Sequence, residues 1–513
     1  MTATSLTYCL ETAATLLRDR PFLINDDGET TFGEFDALSG RLANVLLAHG
    51  VARGDAVGLY LPSCPFLSAG YFACQKIGAI AAPISSMNRA QELRPLLERT
   101  QMRVMLVDTD TAAEAVCACK DVAHKVTILA SGDAVAGTVP LDLAPASVQC
   151  PPLPLRPEDP AALFFTSGTT GAPKGAVQTQ RSITTTLRDM AVHAGFSWDR
   201  EVFLCALPVF NNFGATVMVN GAVYNGARVV MLERWDTQKV LDAITRHRVT
   251  YMAGAPTMFL YMLREFNPDR HDLSSMRLAV AAGAPVSPEI LAEFEKTTGV
   301  PILELYGATE VSGGATAQPL VGVRKRGSAG VPLGNARIAI VDEDGAPVPT
   351  GETGEVRISG EIVGAGYWDD EETTVASFSE DGWLSGDIGY VDEDGYLFIV
   401  DRKKDVIIAG GYNIYPIEVE DLLFSHPDVG VCAVIGVPDD VKGEIPAAVL
   451  IPRADRSLDP AALIAFCREN LAAYKVPRRW FTVAEMPHGP TGKILKRTLR
   501  VWLGEGRLTE VTP

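Results

Sequence analysis

Apolar residues along this chain fall mostly into short unbroken runs, separated by stretches with helical spacing. Ala56–Leu61 reads as a buried strand, a helix follows to Ile77, and a second strand runs through Ile84. Arg103–Val107 and Lys125–Ala130 are further strands with a helix between them. Upstream, Thr31-Phe32-Gly33-Glu34 has capping-box spacing. Phe35, Leu38, Leu42, Leu46 and Leu47 then repeat at helical intervals until Gly50. Residues 131–159, rich in Pro and Ala and low in periodicity, predict a surface connection.

Alternation then resumes. Strands are predicted at 202–207, 227–232, 250–253, 277–282 and 301–305, with helices reaching Tyr224 and covering 237–247, 256–265 and 288–298. Such a pattern implies parallel sheets covered by helices. At Val331 the rhythm changes to short strands at 337–342, 354–359, 389–392 and 396–401. Asp344-Gly345 and Asp394-Gly395 supply hairpin signals. From Asp405 the expected order is strand, helix (416–425), strand (429–437), strand (447–452), helix (460–470) and a long tail. The fold class is therefore α/β. A large N-terminal domain (1–401) contains a small antiparallel, barrel-like β subdomain (331–401). After a hinge at 402–404 comes a small mobile α+β domain (405–513).

One loop changes the picture from architecture to chemistry. The apolar run Ala161-Ala162-Leu163-Phe164-Phe165 leads into Thr166-Ser167-Gly168-Thr169-Thr170-Gly171-Ala172-Pro173-Lys174-Gly175. Glycines let backbone N–H groups approach a ligand closely. Hydroxyls and N–H groups together can wrap phosphate oxygens, and Lys174 adds a point charge suited to phosphate. No Gly-Lys-Ser/Thr triplet follows, so this is a nucleotide-phosphate loop of another kind than the Walker A loop.

Composition narrows the partners. A formal net charge of −18 argues against nucleic acid and anionic membrane surfaces. The most apolar region, 56–84, is broken by Pro62, Pro65, Gly70, Gly78 and Pro83, so no membrane span is expected. Met1 to Glu11 lacks the basic and apolar regions of a signal peptide. Nine scattered cysteines without a Cys-x-x-Cys pair suggest free thiols and a cytoplasmic location. Cys117-Ala118-Cys119 reads as helix packing.

Four further motifs follow the loop: Tyr306-Gly307-Ala308-Thr309-Glu310 after a strand, Trp383-Leu384-Ser385-Gly386-Asp387, Asp401 through Tyr415, and Pro490-Thr491-Gly492-Lys493. A tyrosine offers a face to a base, and a glutamate suits Mg²⁺. In this order and spacing, the five motifs together resemble the adenylate-forming superfamily, which includes acyl-CoA synthetases and adenylation domains. The resemblance covers essentially the whole chain.

The resemblance implies ATP-dependent activation of a carboxylic acid to an acyl-adenylate, followed by transfer to the thiol of coenzyme A. A stand-alone adenylation enzyme that loads a carrier-protein phosphopantetheine is the alternative. By the same resemblance Thr166, Ser167, Gly168, Thr169, Thr170 and Lys174 hold the β- and γ-phosphates. Thr309 contacts the α-phosphate and Glu310 holds Mg²⁺. Tyr306 lies on adenine beside Gly283 and Ala284, while Asp387 and Arg402 bind the ribose. Lys493 is the mobile catalytic lysine, and Lys404 is the pivot about which the C-terminal domain turns. Gly410, Gly411 and Tyr474 border the coenzyme A channel; for Tyr474 a packing role is equally open. Assembly as a homodimer is compatible with this reading.

The acyl pocket is expected around Asn211, Gly254, Gly307 and Ala308. The family commonly shows Pro-x-Phe-His-x-x-Gly where this chain has Pro208-Val209-Phe210-Asn211-Asn212-Phe213-Gly214. Asn211 stands where histidine is usual. It either meets a polar group of the substrate or caps the following helix.

Overall fold

The computed structural model describes residues 5–511 except 134, 152, 167–172, 285–287, 410–411, 440–441, 455 and 489–493. It forms two compact units. The first comprises 1–338 with 358–383, and the second 339–357 with 384–513. The division nearest the expected one at 401 thus lies at 383/384.

Two large sheets build the first unit. In one, nine strands run in the order Val331–Pro332, Thr316–Ala317, Ile302–Tyr306, Leu278–Ala282, Tyr251–Gly254, Val202–Cys205, Arg228–Met231, Pro21–Asn25, Gly28–Thr31. Its central pairs are all parallel. The other places Gly366–Tyr367, Lys174–Thr179, Pro160–Thr166, Ile80–Ile84, Ala56–Tyr60, Val104–Val107, Thr127–Ala130 and Val139–Pro140 side by side. Strands Ala56–Tyr60 and Ile80–Ile84 are buried at every position, which explains why they read as continuous apolar runs rather than alternating ones. Phe22, Phe32, Phe35, Phe72, Leu59 and Phe203 share one core with residues of both sheets. The rings of Phe22 and Phe32 stack at 4.7 Å.

Local signals explain the element ends. Thr31 and Glu34 form the expected capping box on helix Phe32–Ala48. Residues 131–159 are tied down as well as exposed: the Asn44 amide donates to the carbonyls of Ser147 and Gln149. The helix before Tyr224 departs from expectation. Phe213–Asn220 is a π-helix, followed by an α-helix only over Gly221–Asn225. Wider turns of this kind concentrate at functional sites.

Arg337–Val341, Gly354–Ser359, Gly382–Val391, Phe378–Ser379 and Leu397–Arg402 form a five-stranded sheet. The Asp394-Gly395 turn joins its antiparallel pair Gly382–Val391 and Leu397–Arg402. In the second unit, Val429–Asp439 pairs antiparallel with Gly443–Pro452, and helices Pro416–Ser425 and Pro460–Asn470 lie where expected. The long tail is a correction. It contains strand Arg479–Thr482, parallel to Gly443–Pro452, and helix Lys496–Gly504. Leu499 of that helix is buried and Trp502 and Leu503 are partly buried against the same core, a stripe of helical spacing that the reading of a plain tail overlooked.

Strand Ile302–Tyr306 carries one half-buried acid, Glu304. Burial pushes the Glu304 carboxyl up to about 7 from its ordinary 4.5, against a smaller opposing effect of a Gln318 hydrogen bond. Between those two values the folded chain binds a proton that the unfolded chain has lost, so stability falls as pH rises through that window. Glu304→Gln should therefore match the parent at low pH and exceed it by about 2–3 kcal/mol near pH 8. Thermal melts across that range check this; a difference that does not grow with pH contradicts it.

Candidate active site

The phosphate-loop expectation rests on a hairpin. Strands Pro160–Thr166 and Lys174–Thr179 pair antiparallel, with Thr166 opposite Lys174. Thr166 and Lys174 therefore stand at the two ends of the loop, and the Thr166 hydroxyl donates to the Lys174 carbonyl at 3.4 Å. Ser167, Gly168, Thr169 and Thr170 lie outside the described residues. Arg99 secures the exit from the loop: one arm donates to the Pro173 carbonyl at 3.2 Å, and another pairs with Asp370 at 2.9 Å.

A short strand, Gly366–Tyr367, adds to the hairpin with Tyr367 opposite Ala176. This register sets Tyr367 beside Lys174, whose Nζ lies 5.1 Å from the ring centroid. The Tyr367 hydroxyl donates to Glu310 Oε1 at 2.9 Å. Burial, and then the Glu310 carboxylate, push the phenol above its ordinary range. Tyr367 accordingly stays protonated and keeps donating. Through it, Lys174 of the loop and Glu310 of the Tyr306–Glu310 motif are brought to one place. Tyr367, Arg99 and Asp370 carry no local motif, and sequence reasoning missed them.

Parallel register collects the other expected residues at one sheet edge. Gly254 pairs with Ala281, and Ala281 with Glu304. Gly254, Gly283 and Tyr306 thus fall at the carboxyl ends of neighbouring strands, where α/β sheets collect ligands. Gly283 has φ +89 and is exposed, as is Ala284. After Tyr306 the chain turns sharply, with Ala308 as the N-cap of a 3₁₀ turn over Thr309–Val311. The Ala308 carbonyl accepts from the N–H of Gly313 at 3.0 Å. A Cβ on Gly307 would lie only 1.7 Å from the Gly313 carbonyl oxygen, so glycine is required there by backbone contact.

Behind the turn sits a residue that sequence reasoning overlooked. Gln178, fully buried, donates from Nε2 both to the Thr309 carbonyl at 2.9 Å and to Asn212 Oδ1 at 2.7 Å. Its Oε1 accepts from the Thr216 hydroxyl at 3.3 Å. The only signal was a glutamine directly after the small and apolar run Gly175-Ala176-Val177. Asn212, 7% exposed, is the buried asparagine of the pair. Asn211 is half-buried and shapes the backbone: its N–H donates to Pro208 O and its carbonyl accepts from Ala215 N. Among the described residues, the Asn211 side chain makes no hydrogen bond.

The second unit holds the remaining expected residues. Asp387 lies opposite Arg402 in an antiparallel pair, and their side chains meet at 2.6 Å. Lys403 pairs with Glu355 at 2.7 Å, and Lys404 is exposed. Tyr474 stacks on Tyr412 with centroids 4.9 Å apart. Gly410 and Gly411 lie outside the described residues, flanked by the Ala409–Tyr412 pair. Lys493 also lies outside them. On either side of it, His488 bridges Ile494, and Lys496 pairs with Glu420 at 2.8 Å. Both Lys496 and Glu420 are largely buried, so the helix that follows Lys493 is held by an ion pair shielded from salt.

Among the described residues no three or more of His, Cys, Asp and Glu cluster as a metal cage. The single Glu310 carboxylate, beside the loop, fits an ion that takes most of its ligands from phosphate and water.

A nucleotide-binding α/β enzyme with a separate C-terminal unit is the class this fold and site define. Residues 10–368 match the AMP-binding enzyme family, and residues 418–493 match the AMP-binding enzyme C-terminal domain. This chain belongs to the AMP-binding enzyme family. It is 37% identical to a feruloyl-CoA synthase of Amycolatopsis sp over 92% of this chain and 93% of that one. It is 34% identical to a sulfoacetate–CoA ligase of Cupriavidus necator over 94% of each. Among solved structures it resembles an anthranilate CoA ligase in complex with anthranoyl-AMP, with TM-score 0.90, 28% identity and coverage of 99% and 98%. ATP-bound MatB from Rhodopseudomonas palustris gives 0.88 at 29% identity, covering 97% and 99%.

Gly307→Ala tests the turn. The added methyl must displace the Gly313–Gly314 backbone that closes the turn, and ATP turnover should fall on the order of 100-fold. Steady-state assays alongside thermal melts check this; full turnover in a folded variant contradicts it.

Proposed function

We propose that this protein activates a carboxylic acid with ATP and passes the acyl group to the thiol of coenzyme A. The observation that carries the reading is the chain of contacts Lys174–Tyr367–Glu310. It joins the loop hairpin to the turn that holds Thr309. A cationic donor and a carboxylate then face the same small volume, as binding of a metal-complexed polyphosphate requires. The activities named for the full-length relatives, all CoA ligases, support coenzyme A as acceptor.

In the first step a carboxylate oxygen attacks the α-phosphorus, and the bond to the β-phosphate breaks. Acyl-adenylate and pyrophosphate result. In the second, the coenzyme A sulfur gives up its proton and attacks the acyl carbonyl carbon; the bond to AMP oxygen breaks. Charge builds on phosphoryl oxygens in the first step, so fixed donors do most of the catalytic work.

Thr166, Lys174 and the loop residues Ser167, Gly168, Thr169 and Thr170 would hold the β- and γ-phosphates. Thr309 would meet the α-phosphate, and Tyr306 would lie on adenine next to Gly283 and Ala284. Asp387, already fixed by Arg402, would accept from the ribose hydroxyls. Glu310 would hold Mg²⁺, which, when bound, neutralises phosphate charge. Lys493 would bridge carboxylate and α-phosphate. Lys404 would serve as pivot between the two half-reactions, and Gly410, Gly411 and Tyr474 would border the thiol's path. The cysteines are all free, which favours a reducing, cytoplasmic setting. The acids named among the relatives range from feruloyl and indoleacetate to long-chain fatty acids.

Incubation with ATP, Mg²⁺, a panel of acids and coenzyme A should yield AMP, pyrophosphate and acyl-CoA. AMP formation only when a carrier protein replaces coenzyme A contradicts the reading. Lys493→Ala should slow adenylate formation by on the order of 1,000-fold. Thioesterification of a preformed acyl-adenylate should largely persist in that variant. Equal loss of both half-reactions contradicts the division of labour.

A further inference from the structure

Two polar groups on buried residues next to the Thr309–Glu310 turn have no hydrogen-bond partner among the described residues. The first follows from an amide chain. The Thr309 carbonyl can only accept, so the Gln178 atom facing it is the nitrogen. That same nitrogen meets Asn212, so the Asn212 atom facing it is the oxygen. The acceptance from Thr216 at the other Gln178 atom agrees with this orientation. Asn212 must therefore direct its NH₂ group away from Gln178. Among the described residues that group donates to nothing, although Asn212 is 7% exposed.

The second group is the Thr186 hydroxyl, buried and without a hydrogen-bond partner. Both side chains converge on Gly313, the residue after the turn. A Cβ built there would lie 3.9 Å from Asn212 Nδ2, 3.5 Å from Thr186 Cγ2 and 3.1 Å from Val217 Cγ2. Gly313 has φ +132, and a side chain there would crowd Val217, so Asn212 and Thr186 pack closely against the backbone that follows the turn. Buried polar groups normally find partners, because leaving them unsatisfied is costly. A ligand reaching the turn beside Asn212 and Thr186 would supply the partner that each lacks.

Its position defines the ligand. Asn212 Oδ1 and the Thr309 carbonyl bond the same nitrogen, so the Asn212 amide lies within two hydrogen-bond lengths of the Thr309 backbone. On the same helix face as Thr186 follow Met190 and His193, which line an apolar cavity with Tyr251, Leu303 and Leu305. Asn212 and Thr186 thus stand beside the turn, and the lining further along the Thr186 helix is apolar.

We infer that Asn212 and Thr186 are specificity-determining residues for the acid. The preferred substrate carries a hydroxyl or oxo oxygen within a few bonds of its carboxylate, with an apolar remainder. This inference rests on the ligase reading above. The Asn212 NH₂ donates to that oxygen, and the Thr186 hydroxyl donates to it or accepts from it. For Asn211 the sequence left open a polar substrate group or a helix cap; this inference gives the substrate contact to its neighbour Asn212.

The test measures acid-dependent pyrophosphate release with butanoate and phenylpropanoate, their α- and β-hydroxy and β-oxo derivatives, and longer plain alkanoates. At least one oxygenated acid should exceed its plain parent by about tenfold or more in kcat/KM. Asn212→Asp keeps the acceptor that Gln178 needs and removes the donor; Thr186→Val keeps the shape and removes the hydroxyl. Each should cut that selectivity ratio by about tenfold. A parent enzyme that prefers plain acids throughout overturns the inference, as does a ratio unmoved by both variants in folded protein. Failure to release pyrophosphate with any acid would instead sink the ligase reading itself.

Discussion

One buried amide holds the centre of the larger unit together. Gln178 lies on a strand of the loop hairpin, yet its two donated bonds reach the Thr309 turn and the residue opening the π-helix. An amide buried this deeply must have all its bonds in place, since each orphaned group would cost on the order of 1–3 kcal/mol. Hairpin, turn and helix are consequently fixed in one mutual arrangement. Tyr367 makes the second connection, from Lys174 to Glu310, on the open side of the same hairpin. Lys174, Ala176 and Gln178 alternate onto one face of their strand, so both connections leave the hairpin from the same side.

Much of this organisation was legible beforehand, for physical reasons. Strands such as Ala56–Tyr60, buried on both faces, leave an uninterrupted apolar signature. The Thr31–Glu34 capping box is local, and so is the Asp394-Gly395 turn. Chemistry written in contiguous motifs was legible too, and the family match over residues 10–368 and 418–493 bears out the resemblance that those motifs carried.

What escaped notice depends on pairing across the chain. Tyr367 matters because Gly366–Tyr367 happens to add to Lys174–Thr179, nearly two hundred residues earlier. No spacing rule announces that. Gln178 stands in a short strand, and Thr186 ends a run of three threonines, so no spacing singles either of them out. Which of the adjacent Asn211 and Asn212 is buried was equally hidden, because both precede the Phe213–Asn220 π-helix and neither falls in a regular period. The tail beyond Asn470 was missed because the stripe of Leu499, Trp502 and Leu503 on helix Lys496–Gly504 was overlooked, and the helix is also anchored by charge, through Lys496 and Glu420.

These threads meet in one chemical claim: the larger unit's loop and turn assemble around ATP so that a carboxylate attacks the α-phosphorus. The most direct measurement is exchange of labelled pyrophosphate into ATP with the whole protein, Mg²⁺ and an accepted acid, and no coenzyme A. The account predicts label in ATP that depends on the acid and appears without any thiol, because adenylate formation is reversible and separate from transfer. Exchange that requires coenzyme A, or turnover that yields ADP and phosphate in place of AMP and pyrophosphate, would contradict it.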